Sequence, residues 1–270
     1  MADTSFWQAV EALNPEADFV EQHRHSRRVV KRASEQIELE PIRIALLASS
    51  TVDHFIEILR AYLMRDGYKP DFFVAEFNTI FQAALHPDSD LYAFEPDLIW
   101  IFTNYRDLNF RIETVTNPDA QETDIDDALA QFRTLWGALK ANATARIVQN
   151  NAERPEERIL GNYEVRHDGS LSQRISRFNY RLSQTSPAEV QIFDIARLAD
   201  NTGLARWHDR QYWYHSKHAF APDATGLVAH AGARLIRGLM GRAYKCAILD
   251  LDNTMWGGVI GDDGLGAAVA

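Results

Sequence analysis

Two aspartates near the end of the sequence have the type and spacing for phosphoryl chemistry. In "KCAILDLDNTMWGGVIGDDG", residues 245–264, Asp250 and Asp252 stand two apart where an apolar run ends. Side chains on a strand alternate between faces, so a strand here points both carboxylates to one side. Two hard oxygen ligands side by side suit Mg2+, which takes few carboxylates and fills its other positions with water and phosphate oxygens. One carboxylate can attack a phosphoryl group while the other handles a proton, provided that their pKa values are pushed apart. For a D-x-D pair taken alone, the simpler reading is an acidic strand end that caps a turn.

A second set of candidates lies upstream. Ser49, Ser50 and Thr51 follow the apolar run "IRIALLA" and precede a helical pattern. A hydroxyl there can act as a nucleophile, and the free N–H groups of a helix start can bind an oxyanion. Asn104 follows "DLIWIFT", where a side-chain amide can complete an oxyanion hole. His215 and His218 precede Pro222 and the last long helical pattern, where a general base would sit. Each position also has a structural reading: a helix cap, a turn and a packing hydrogen bond, respectively. Trp207, Tyr212, Trp213, Tyr214 and Phe220 either line a pocket or docking surface or pack as a loop over the sheet edge.

The elements that must hold these residues alternate. Residues 1–38 read as helices and break at Pro41. Strand patterns then appear at 42–48, 71–77, 97–104, 145–151 and 190–195, with another at 244–252. Between them lie helical patterns, including Phe55, Ile58, Leu59, Tyr62 and Leu63 at i, i+3, i+4, i+7 and i+8. Further helices are expected at 124–142, 170–184 and 222–241. Strands alternating with helices predict an α/β fold, a parallel sheet covered on both faces. The expected divisions are a helical segment at 1–38, an α/β domain at 39–241 and the start of another domain at 242–270.

Composition narrows the function classes. The chain has 270 residues, a net charge of -10 and 46% hydrophobic residues, enough for a sizeable core but with no basic field to attract nucleic acid. The basic run "HRHSRRVVKR" at 23–32 reads as a solvated helix face, with an anion or partner patch as the alternative. One cysteine, Cys246, excludes an internal disulfide. No apolar run is long enough to span a bilayer, and the first residues lack a signal-peptide pattern. These features lead to the expectation of a cytoplasmic protein without nucleic-acid or membrane partners.

The stretch from Lys245 to Gly264 resembles the first motif and flap of the haloacid dehalogenase superfamily. More narrowly, it is similar to the FkbH-like branch, subfamily IIIC. The resemblance implies that Asp250 is the nucleophile that forms an aspartyl-phosphate and Asp252 the general acid/base. Thr254 would hold the loop, and Mg2+ would bridge the carboxylates and phosphate. It further implies glyceryl transfer from a phosphorylated three-carbon donor to an acyl carrier protein in polyketide-type biosynthesis. Later motifs of that superfamily do not follow within the sequence. The expectation is therefore an incomplete phosphatase domain that does not catalyse phosphoryl transfer by itself.

The upstream region also resembles the segment that precedes the phosphatase domain in FkbH-like proteins, through "ALLASSTVDHF", "DSDLYAFEPDLIWIF", "NNAERPEERILGNYE" and "WHDRQYWYHSKHAFAP". That segment is similar in layout to SGNH hydrolases, which implies a three-layer parallel sheet of SGNH or flavodoxin-like type with Ser50, Asn104 and His218 as catalytic residues. The pattern departs from theirs: "ASS" stands for Gly-Asp-Ser, Tyr105 for the usual acid, and no Asp lies three residues before either histidine. Asp209 could orient a histidine only through a different loop geometry. Two alternatives therefore stand beside phosphoryl transfer: an SGNH-type ester hydrolase or acyltransferase using Ser50, and a non-catalytic module that docks a carrier protein.

Overall fold

A computed structural model describes residues 4–33, 37–111, 116–242, 246, 249 and 250. The chain forms two compact units, Met1–Ile236 and Arg237–Ala270. The first holds five parallel strands: β1 (Glu40–Ala48), β2 (Tyr68–Val74), β3 (Leu98–Phe102), β4 (Arg146–Asn150) and β5 (Val190–Phe193). Their order in the sheet is β2-β1-β3-β4-β5, so the chain runs one way from β1 to β2 and then reverses past β1 to β3. A doubly wound sheet of this order binds ligands beyond the carboxyl ends of the strands at the reversal, between β1 and β3.

The central strands are apolar because both of their faces are covered. On one face Ala45, Leu47, Ile99, Ile101 and Ile147 meet α4 (Ile80–Leu85), α6 (Pro118–Asn142) and α7 (Leu171–Thr185). On the other, Trp100 and Phe102 pack on Phe55 of α3 (Asp53–Arg65). The same Trp100 ring packs against Gly232 of α11 (Thr225–Leu239). A Cβ there would lie 2.5 Å from the Trp100 ring, so only glycine lets the helix approach. The N-terminal helices α1 (Thr4–Glu11) and α2 (Phe19–Ala33) close on α3 through Phe6, Val10, Val29, Ala61 and Met64. The α/β expectation and its three layers therefore hold in the first unit.

Several boundaries differ from the sequence patterns. The second strand covers 68–74 instead of 71–77, and Pro70 lies within it. β2 is an edge strand paired only to β1, a place where a residue without an N–H is tolerated. Helix α6 begins at Pro118, not at Asp124, because Asn117 caps it and Pro118 sits in its first turn. Four short helices carry no long apolar period: α5 (Asp90–Ala93), which precedes β3, and α8 (Ile195–Thr202), α9 (Leu204–Trp207) and α10 (Arg210–Ser216), which follow β5. No helix among the described residues is long and apolar enough to cross a membrane.

Candidate active site

The carboxyl ends of β1, β3 and β4 bring the upstream candidates together. The hydroxyl that meets Asn104 is that of Ser49, not Ser50. Ser49 Oγ donates to Asp107 Oδ2 at 2.6 Å and receives the Asn104 amide at 3.4 Å. Asp107 also accepts the Asn104 backbone N–H at 2.7 Å, while Asn104 Oδ1 accepts the Arg106 N–H at 3.0 Å. The two side chains thus form a reciprocal cap on the 3-10 turn Tyr105–Leu108. Burial raises the Asp107 carboxyl above its ordinary value, against the opposing pull of its bonds from Asn104 and Ser49 and of the Arg106 charge.

The hydrolase geometry expected from Ser50 and His218 is not assembled. Ser50 is buried and its hydroxyl has no hydrogen-bond partner. His218 Nδ1 has none either, and its ring stacks on His54 at 3.9 Å and on Tyr212 at 5.3 Å. Ser49 bonds only a carboxylate and an amide, so neither serine has a histidine as base. His54 is pushed down to about 3, by burial first and then by the nearby His218, and His218 is itself lowered by burial. Both rings are neutral at physiological pH. His215 is exposed on α10, and Asp209 is spent on capping that helix through Tyr212 N–H at 3.0 Å. The Ser-Ser-Thr turn does not cap α3: Val52 is the cap residue, and Thr51 Oγ1 donates to the Ser216 carbonyl at 2.6 Å.

Residues beyond the sequence candidates complete the cluster. Glu153, three positions past β4, is 1% exposed, and the backbone N–H groups of Glu153 and Tyr105 near its carboxyl do not reach full hydrogen-bond geometry. Burial pushes it up to about 8; backbone N–H groups of Glu153 and Tyr105 and the charge of Arg106 oppose this only in part. The Arg106 guanidinium carbon lies 4.3 Å from the Tyr105 ring centre and 4.0 Å from that of Trp213, with Nη1 buried and unpartnered. The aromatic run is thus mostly structural: Trp207 and Phe220 are core residues, and Trp213 orients an arginine. Only Tyr212 and Tyr214 project, at 43% and 76% exposure. A cleft of about 1150 Å³ opens beside the cluster, bordered by Asp18, Phe19, Asn201, His208 and Tyr212, but Ser49, Asn104 and Glu153 do not line it.

In the second unit Asp250 is exposed, and Asp252 and Thr254 lie outside the described residues. So do the expected strand and flap from Tyr244 onward, apart from Cys246, Leu249 and Asp250, which are exposed and not in a strand. No group of three or more His, Cys, Asp or Glu among the described residues could hold a metal ion.

A doubly wound α/β domain with a polar cluster at its sheet reversal defines a class that hosts many chemistries. Residues 43–236 match the family described as FkbH, N-terminal domain, and the chain belongs to that family. A solved structure of the N-terminal part of the protein BF1531 from Bacteroides fragilis, containing a phosphatase domain and complexed with Mg, is similar at 26% identity. The similarity covers 98% of this chain and 64% of that one, with a TM-score of 0.73. The chain thus spans less than two thirds of that relative's length. The salicylyl-acyltransferase SsfX3 from a tetracycline biosynthetic pathway is 11% identical over 74% of this chain and 55% of that one. Its TM-score of 0.40 is too low to carry an argument. No curated protein matches the chain.

Proposed function

We propose that the chain is the N-terminal part of an FkbH-type enzyme that transfers a phosphoryl or glyceryl group from a phosphorylated three-carbon donor to an acyl carrier protein. The observation that carries this reading is one chain holding both the FkbH N-terminal domain and, directly after it, the stretch "AILDLDNT". The similar Bacteroides fragilis protein, which contains a phosphatase domain and was solved with Mg, supports it. Asp250 is the nucleophile in this reading, Asp252 the acid/base and Thr254 the residue that holds the loop. The carboxylates of Asp250 and Asp252 are hard oxygen donors of the kind Mg2+ takes, and the exposed Asp250 is open to a hydrated cation. Mg2+, when bound, supplies positive charge against the phosphoryl oxygens. The test is Mg2+-dependent phosphate release by the full-length protein. Asp250→Asn is expected to reduce it to background, and unchanged release would overturn the assignment.

A carrier-docking role for the α/β domain has its own support in the two projecting tyrosines of α10. Carrier-protein binding lost on Tyr214→Ala favours it, and unaffected binding argues against that surface. Ester hydrolysis by Ser50 lacks such support, because a serine hydroxyl without a base is a weak nucleophile.

A further inference from the structure

We infer that Arg24, Arg27, Arg28, Lys31 and Arg32 of α2 form a docking surface for an acidic helix of a partner protein. This goes beyond phosphoryl transfer at Asp250 and does not depend on it.

Helical spacing builds the surface. The five residues stand at i, i+3, i+4, i+7 and i+8, so the turn of the helix gathers them on one face, and all five are exposed. The opposite face is already committed: Gln22, Ser26, Val29 and Ala33 are buried, and Val29 and Ala33 share a core cluster with Ala61 and Met64 of α3. The helix holds one carboxylate, Glu21, which meets Arg24 at 3.4 Å and His25 at 3.5 Å. Among the described residues no carboxylate pairs with Arg27, Arg28 or Arg32. By contrast, Arg177 and Arg181 of α7 reach Glu122 at 2.8 and 3.2 Å. Arg24 with Arg28, Arg27 with Lys31, and Arg28 with Arg32 are like charges at i, i+4, a placement that weakens a helix. Sequences break such local rules mainly where function requires it. A negative partner turns the repulsion into contacts.

The chemistry and size of the partner follow from the surroundings. The chain has a net charge of -10, so the stripe is a local field of opposite sign on an acidic protein. An anionic membrane or a nucleic-acid duplex would lie against more of the surface than this stripe and meet its excess of acid. Nor has α2 a free apolar face to insert into a bilayer, because that face is buried on α3. From Arg24 to Arg32 the helix rises only about 12 Å, which suits one helix with carboxylates at its own i, i+4 positions. Four of the five cations are arginines, whose planar fork takes carboxylate oxygens in pairs. Beside the stripe, Arg27, Arg28, Val30, Lys31, Glu57 and Arg60 line a cleft of about 540 Å³. Arg60 adds a cation there, anchored on the Pro70 carbonyl at 2.6 Å, while Glu57 is engaged by His23 Nε2 at 2.5 Å.

Fluorescence anisotropy of the full chain with a dye-labelled helical peptide bearing glutamates at i, i+4 and i+7 tests the inference. The peptide should bind, the same peptide with Gln for Glu should not, and binding should weaken as NaCl screens the charges. Arg28→Glu is expected to weaken binding at least about tenfold, as the loss of a close charge pair does. Arg133→Glu, an equal change of charge at an exposed position of α6, should alter it by less than about twofold. Thermal unfolding reads the fold alongside. Arg28→Glu sets opposite charges at i, i+4 to Arg24 and Arg32, so its midpoint should hold or rise. If the midpoint falls, Arg27→Gln combined with Arg32→Gln repeats the test without reversing a charge. A short DNA duplex and phosphatidylserine vesicles are the competing probes. Tighter binding of either than of the peptide, no binding of the glutamate peptide, binding that salt leaves unchanged, or equal losses in Arg28→Glu and Arg133→Glu would each overturn the surface. None of these results bears on phosphate release at Asp250, so the two proposals fail separately.

Discussion

Replacing Glu153 by Gln should change how stability depends on pH, and the size of the effect follows from burial. The carboxyl titrates at about 8 in the folded chain against an ordinary 4.5. Between those values the folded state holds a proton that the unfolded state has lost. Stability from this group is therefore fully present below pH 4.5 and is lost as pH rises to about 8. An interval of about 3.5 pH units at about 1.4 kcal/mol each gives roughly 4–5 kcal/mol, an order-of-magnitude figure. Glu153→Gln keeps the side-chain volume and removes the titration. Urea unfolding of both proteins from about pH 5 to about pH 8 measures the difference. His54 and other groups shared by the two proteins cancel in that difference. The wild type should lose several kcal/mol relative to the variant across the window. A difference that stays flat would refute the raised carboxyl that burial gives Glu153.

Three further outcomes are expected. His54 is lowered to about 3 from 6.5, so stability from its neutral form is present above pH 6.5 and is lost as pH falls toward 3. His54→Phe keeps the stack on His218 and should flatten the acid limb of the stability profile, measured by the same unfolding series. Gly232→Val puts a branched side chain where even a Cβ lies 2.5 Å from Trp100. It should cost about 1–3 kcal/mol, outweighing the small gain in helix propensity, and thermal unfolding reads the loss. A fluorophosphonate that labels activated serines should modify neither Ser49 nor Ser50, because no histidine is placed to take their protons. Peptide mapping that finds either serine labelled would restore the hydrolase reading.

The fold was legible where burial leaves a simple mark. β3 and the second half of β1 are covered on both faces, so Leu98–Phe102 and residues 44–48 are continuous apolar runs. Asn104 was legible as a site residue for the same reason, since it directly follows one of those runs. The choice between Ser49 and Ser50 was not, because a single residue's rotation after a strand depends on how the turn leaves the sheet. Glu153 was hidden as well. A glutamate in "NNAERPEER" reads as a surface charge, and only the fold, which sets it near Tyr105, Arg106 and Asp107, buries it. The aromatic segment at 207–220 looked like one loop, yet it contains α10 and buries Trp207 and Phe220. Its seven-residue helix is too short to display a period, and its placement rests on Asp209 as a cap.

The central claim, that Asp250 accepts a phosphoryl group, is tested most directly by trapping. The full-length protein would be incubated with Mg2+ and a phosphorylated three-carbon donor, and then reduced with borohydride, which converts an aspartyl-phosphate to homoserine. Peptide mass spectrometry should place homoserine at position 250 in the wild type and nowhere in Asp250→Asn. A trapped residue at another position, or none in a protein that turns the donor over, would contradict the account.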